Sequence, residues 1–184
     1  MSAAPRRWAA ELLHFWFHRL SQRDWYRGGA HVDAALEKRF ARELAMLWPR
    51  PAEDFLTDPH TARAAILLFD QLPRNLFRDS PRAFAFDPLA RTIAREVILR
   101  GWDSGLAKVE KHFIAMPLMH SEHISDQLWS LRYFAALGRP GVLAFARSHY
   151  RMIARFGRFP HRNEVLGRAS TLAELAAVKA GNSW

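Results

Sequence analysis

The chain has 184 residues, 49% of them hydrophobic, enough for one sizeable core and short for two, so a single domain over 1–184 is expected. It has no cysteine, which removes disulfides, thiolate nucleophiles and cysteine-ligated zinc or iron–sulfur sites and points to a reducing, cytoplasmic location. The net charge of +9 is arginine charge, since only Lys38, Lys108, Lys111 and Lys179 are lysines, and no apolar run reaches the ~18 residues of a membrane span.

Taken in chain order, the pattern is helical throughout. Arg6-Arg7 followed by the apolar stretch Trp8 to Phe17 has the outline of a leader peptide, but Glu11 and His14 interrupt it and no small-residue cleavage site follows. It reads as a first helix over roughly 6–20. Further helices are predicted over roughly 32–47, 59–72, 87–101, 108–119, 121–137, 140–157, 161–168 and 171–180. Asp58-Pro59 is a cap with a first-turn proline, and Pro73 is expected to end or kink the nearly all-apolar helix behind it. On 140–157 the residues Val142, Phe145, His149, Met152, Ile153 and Phe156 form one apolar face, opposite Arg147, Arg151, Arg155 and Arg158. Thr171 to Glu174 is a capping box, and Gly181 a stop. No segment alternates with period two, and short joints such as 138–141 imply antiparallel neighbours. The fold class is therefore all-α, an irregular antiparallel helical bundle or stacked helix pairs.

Three motifs crowd polar side chains beside proline at the ends of apolar helices: Asp70-Gln71-Leu72-Pro73-Arg74-Asn75-Leu76-Phe77-Arg78, Pro117-Leu118-Met119-His120-Ser121-Glu122, and Arg155-Phe156-Gly157-Arg158-Phe159-Pro160-His161-Arg162-Asn163. Together with Leu166-Gly167-Arg168, the opening Phe15-Trp16-Phe17 and Trp25, these segments resemble the bacterial domain of unknown function 924 family over roughly 11–175. The resemblance implies an all-helical fold similar to tetratricopeptide-repeat proteins and carries no established activity. His123 departs from it, at a position where an acidic residue is expected.

The chemistry allowed by these residues is acid–base work and anion recognition. His120 and His161 titrate nearest neutrality, and Asp70 and Glu122 can fix their tautomer and charge. Arg74, Arg158 and Arg162 are the candidate anion clamp, with Asn75 and Asn163 for orientation and Gln71, Arg78, Arg155 and Arg168 as further candidate ligand contacts. Metal is not expected, because His120-Ser121-Glu122-His123 lacks the i, i+4 histidine pair of helical zinc sites. No phosphate loop or Gly-x-Ser-x-Gly elbow occurs, so no cofactor is called for. Nucleic acid is disfavoured, since the only ordered basic stripe is the arginine face of 140–157. Two readings remain, one a polar pocket for a small anionic ligand, with catalysis on it left open. The other is a non-catalytic scaffold for a peptide or protein partner, in which the same residues are internal ion pairs. Oligomeric state is not legible.

Overall fold

A computed structural model describes residues 6–182, and within them the secondary structure is helical, with no strand. In chain order the helices are α1 (Arg7–His14), α2 (Gln22–Arg27), α3 (Ala30–Leu47), α4 (Pro59–Ile66), α5 (Leu72–Leu76), α6 (Asp87–Leu99), α7 (Lys108–Met119), α8 (Ile124–Leu137), α9 (Pro140–Phe156) and α10 (Leu172–Lys179). Single 3₁₀ turns lie at Ala52–Phe55, Pro81–Ala83 and Pro160–Arg162. Among the described residues no helix is long and apolar enough to cross a membrane.

The helices pack in succession: α1 on α4, α4 on α6, α6 on α7, α7 on α8 and α8 on α9, with α3 against α5. The two-residue joint between α8 and α9 makes them antiparallel, and Gly138 takes the left-handed conformation (φ 66°) that closes it. The main core lies under α1, α3, α4, α6 and α7, where Leu12, Leu36, Phe40, Leu68, Phe69, Ile93 and Phe113 are fully or almost fully buried. Trp16, Phe17 and Trp25 surround the Phe113 ring edge-on at 5.3–5.8 Å, which explains the aromatic opening motif. A smaller cluster around Phe134 joins α7, α8 and α9, and another around Phe159 joins the end of α9 to α10.

Caps fall where the sequence places them. Thr61 N–H donates to Asp58 Oδ1 at 2.9 Å before Pro59, and Thr171 and Glu174 form the reciprocal capping box of α10. Several elements differ from expectation. Pro73 does not end its helix. The chain runs on from α4 through a π turn at Leu67–Gln71, where Leu72 N–H donates to the Leu67 carbonyl, into α5. The wider turn makes room for the proline ring and its missing N–H. The carbonyls of Asp70 and Gln71 are then taken by side chains, Arg74 Nη1 at 2.5 Å and Asn75 Nδ2 at 3.1 Å. Residues 161–168 form no helix but a 3₁₀ turn followed by turns, since Arg162 and Asn163 both face inward. The short α2 has no apolar periodicity and was not expected. Phe145 is 59% exposed and leaves the buried face of α9, where Ala146 takes its place.

Candidate functional site

The π turn brings Asp70 onto the buried side of its helix, fully shielded from solvent. Asp70 Oδ1 accepts from His120 Nδ1 at 2.8 Å, Gln71 Nε2 donates to Asp70 Oδ2, and Arg74 Nη1 lies 3.4 Å from Oδ1. Arg74 also forks onto Asp87 with two bonds of 2.9 Å, and Asp87 Oδ2 in turn lies 3.4 Å from Arg162 Nη1. The result is a ladder from the first motif to the second and third: His120, Asp70, Arg74, Asp87, Arg162. Asp87, the first residue of α6, belongs to no motif and is the junction that sequence reasoning missed.

Arg162 is 6% exposed, and its guanidinium carbon sits 4.5 Å from the centres of both the Phe84 and Phe159 rings. No acceptor among the described residues reaches its buried Nε. A cleft of about 320 Å³ opens beside it, lined by Phe84, Asp87, Arg91, His120, Glu122, Arg162 and Arg168 among others. Glu122 is held by both prongs of Arg168, at 2.9 and 3.0 Å, and accepts Phe159 N–H at 2.8 Å. At the cleft's other side the buried Asp126 accepts from Arg91, from Arg95 at 2.7 Å and from Ser121 Oγ at 2.7 Å.

These contacts fix the charges. Burial alone would raise the Asp70 pKa, but His120 (when it is protonated), the Arg74 charge and the hydrogen bonds from His120 and Gln71 outweigh it and hold the carboxyl well below its usual range. Burial is the largest influence on His120 and lowers its pKa despite Asp70, so the ring is neutral near pH 7. Arg162 is pushed down to about 10 by burial and by the Arg74 charge. For Glu122 the cost of burial is exceeded by the bonds from Arg168 and Phe159, and its pKa is lowered. Around the cleft five guanidiniums (Arg74, Arg91, Arg95, Arg162, Arg168) meet four carboxylates (Asp70, Asp87, Glu122, Asp126), which leaves one positive charge in excess.

The remaining candidates lie elsewhere. Arg158 is committed to Glu174, at 2.7 and 3.0 Å, and to the Ala169 carbonyl at 2.8 Å, away from the cleft lining. Arg155 is exposed and stacks on Phe156. Arg78 forks onto Asp33 and donates to Asn75 Oδ1, and Asn163 is fully buried with its amide donating to Ser170 Oγ. His161 packs against Phe159, with its pKa pushed to about 4 by burial and by the Arg162 charge. Gln71 supports Asp70 without reaching the cleft. Phe84, Asp87 and Arg91 complete the lining from a segment whose only sequence signal was Pro81 and Pro88 around an aromatic pair. Among the described residues no group of three or more His, Asp or Glu side chains is placed to hold a metal ion.

The family profile described as "Bacterial protein of unknown function (DUF924)" matches residues 12–182. The chain belongs to this family. The solved structure of a protein of unknown function from Agrobacterium tumefaciens is 34% identical, covers 94% of this chain and 97% of its own, and superposes with a TM-score of 0.87. No curated protein matches the chain. For a DUF924 member, then, function has to be argued from the cleft.

Proposed function

We propose that the cleft binds a small anionic ligand, with Arg162 as the charged contact and His120 as a proton acceptor oriented by Asp70. The observation that carries this reading is Arg162 itself. A guanidinium this deeply buried is costly unless its donors and charge are met. Here Asp87, the one carboxylate in ion-pair distance of it among the described residues, lies 3.4 Å away and is already held by both prongs of Arg74. Arg162 lines the cleft, and an anion bound there would meet its guanidinium and balance the excess charge. Arg91 and Arg168 at the rim add to the attraction while remaining tied to Asp126 and Glu122.

The arrangement also favours proton transfer at His120. A buried carboxylate on Nδ1 orients the ring, as a base needs, and leaves Nε2 for the ligand. The scaffold alternative draws support from the closed Arg158–Glu174 and Arg168–Glu122 pairs, which act as struts between α10, the third motif and the second. It gives no role to the under-partnered Arg162.

Calorimetric titration with inorganic phosphate and with propionate tests the reading. Wild-type protein should bind at least one of them, and Arg162→Ala should weaken binding at least about tenfold, the loss of a charged hydrogen bond. Arg162→Lys, which keeps the charge but not the fork, should fall between. Absence of binding at millimolar anion, or binding indifferent to Arg162, would refute it.

A further inference from the structure

The ladder behind the cleft constrains the ligand further than its charge. Asp70 is ionised and fully buried, so both of its oxygens accept and neither can donate. Its 2.8 Å contact therefore requires the proton of His120 to sit on Nδ1. A neutral ring protonated there presents Nε2 as a lone pair. His120 keeps 11% of its side-chain surface, lines the cleft, and has no protein hydrogen bond at Nε2 among the described residues. At the other end of the ladder Arg162 presents only donors, and contacts with the Phe84 and Phe159 rings help to hold it in place. One end of the site accepts a hydrogen bond and the other end gives them.

We infer that the cleft selects a small anion bearing a hydroxyl next to its charged group, of the 2-hydroxycarboxylate class, with the anionic oxygens on Arg162 and the hydroxyl donating to His120 Nε2. This rests on the anion-binding reading above and narrows it. A plain carboxylate satisfies Arg162 but leaves Nε2 without a donor in a partly dehydrated site. Sites built to hydrogen-bond a hydroxyl discriminate strongly against analogues that lack it. The cleft, about 320 Å³, lies at the small end of ligand pockets, which fits a compact acid and not a nucleotide. Asp70 and Arg74 do not line the cleft, so they are positioning residues: they set the tautomer of His120 and, through Asp87, the seat of Arg162.

Paired titrations test it, lactate against propionate and malate against succinate, in which each pair differs by one hydroxyl. Wild-type protein should bind the hydroxy acid about tenfold or more tightly than its partner. In His120→Phe that preference should vanish while the plain acid binds as before. Asp70→Asn, which frees the tautomer, should shrink the preference without removing anion binding. Should a buried substitution fail to fold, nitrogen-detected histidine NMR on the unmodified protein reads the same point: His120 protonated at Nδ1 supports the inference, and protonation at Nε2 overturns it. Equal, Arg162-dependent binding of both acids of a pair would overturn the hydroxyl preference and leave the anion site standing. Binding of none of the four, nor of phosphate, would overturn both.

Discussion

Acid should destabilise this fold at an unusually high pH. Burial pushes His112 and His161 down to about 4 and His149 to about 2, against 6.5 for a solvated ring, with the charges of Arg139 and Arg162 acting in the same direction. The native state therefore prefers all three neutral. Their folded pKa values are depressed, so their contribution to stability is intact above pH 6.5 and is lost as pH falls from there towards 4, while the unfolded chain takes up protons that the native state refuses. One unit below 6.5, each ring costs about 1.4 kcal/mol, and the three together about 4 kcal/mol, a large share of the 5–15 kcal/mol that holds a typical domain. His120, also lowered, adds in the same sense. These carboxylates contribute little to the change in this window: Asp70, Glu122, Asp126 and Glu174 are all lowered, so their contribution is intact at about pH 5.5 and falls away only as pH drops below about 5. Urea denaturation followed by circular dichroism at about pH 7.5 and pH 5.5 measures the difference. In His149→Phe the pH-dependent loss should shrink by about 1.4 kcal/mol, whatever the variant's absolute stability. A stability that changes by less than about 1 kcal/mol between the two pH values would show that these rings are not held neutral.

Leu68, fully buried where α4 passes into its π turn, should cost about 2–5 kcal/mol when truncated to Ala, read as a shift in the urea midpoint. A shift within error would mean that the turn relaxes to fill the space. Arg158→Ala should lower the melting temperature, because Glu174, 3% exposed and held by Arg158 at a pKa of about 2, would keep its charge without its main partner. The same variant should bind anions as wild type does, and loss of binding would place Arg158 in the site after all.

The helices were legible because their signals are local. Asp58, Thr171 and the glycines at 138 and 157 act within one turn of themselves, and the structure places each helix end there. The π turn was not legible, since Pro73 announces a break, and the sequence does not show that the chain widens into a π turn and runs on into α5, with Arg74 and Asn75 donating to the carbonyls of Asp70 and Gln71. The third motif misled for a related reason. Its apolar and polar residues recur at helical spacing, but Asn163 and Arg162 turn inward to tertiary partners and no helix forms at 161–168. In the site, motif residues identified the ladder except for Asp87, whose importance comes from Arg74 and Arg162 reaching it from 13 and 75 residues away. Glu174 is similar: its sequence position marks a capping box, and only the fold reveals the second task of holding Arg158.

The π turn at Leu67–Gln71 has a consequence for which length changes this chain can tolerate. Each residue advances an α-helix by about 100°, so the extra residue accommodated there sets the rotational phase of everything in α5 relative to α4. Arg74 can face both Asp70 and Asp87, and Asn75 and Arg78 can turn towards Asp33 and Gly28, only in that phase. Deleting one residue between Leu67 and Gln71 would give a more regular helix and carry Arg74 about a quarter-turn off the ladder, separating His120 from Arg162 without altering either. The irregular turn thus works as a phase setting for the cleft, and the spacing of the first motif is as much a part of the site as its side chains.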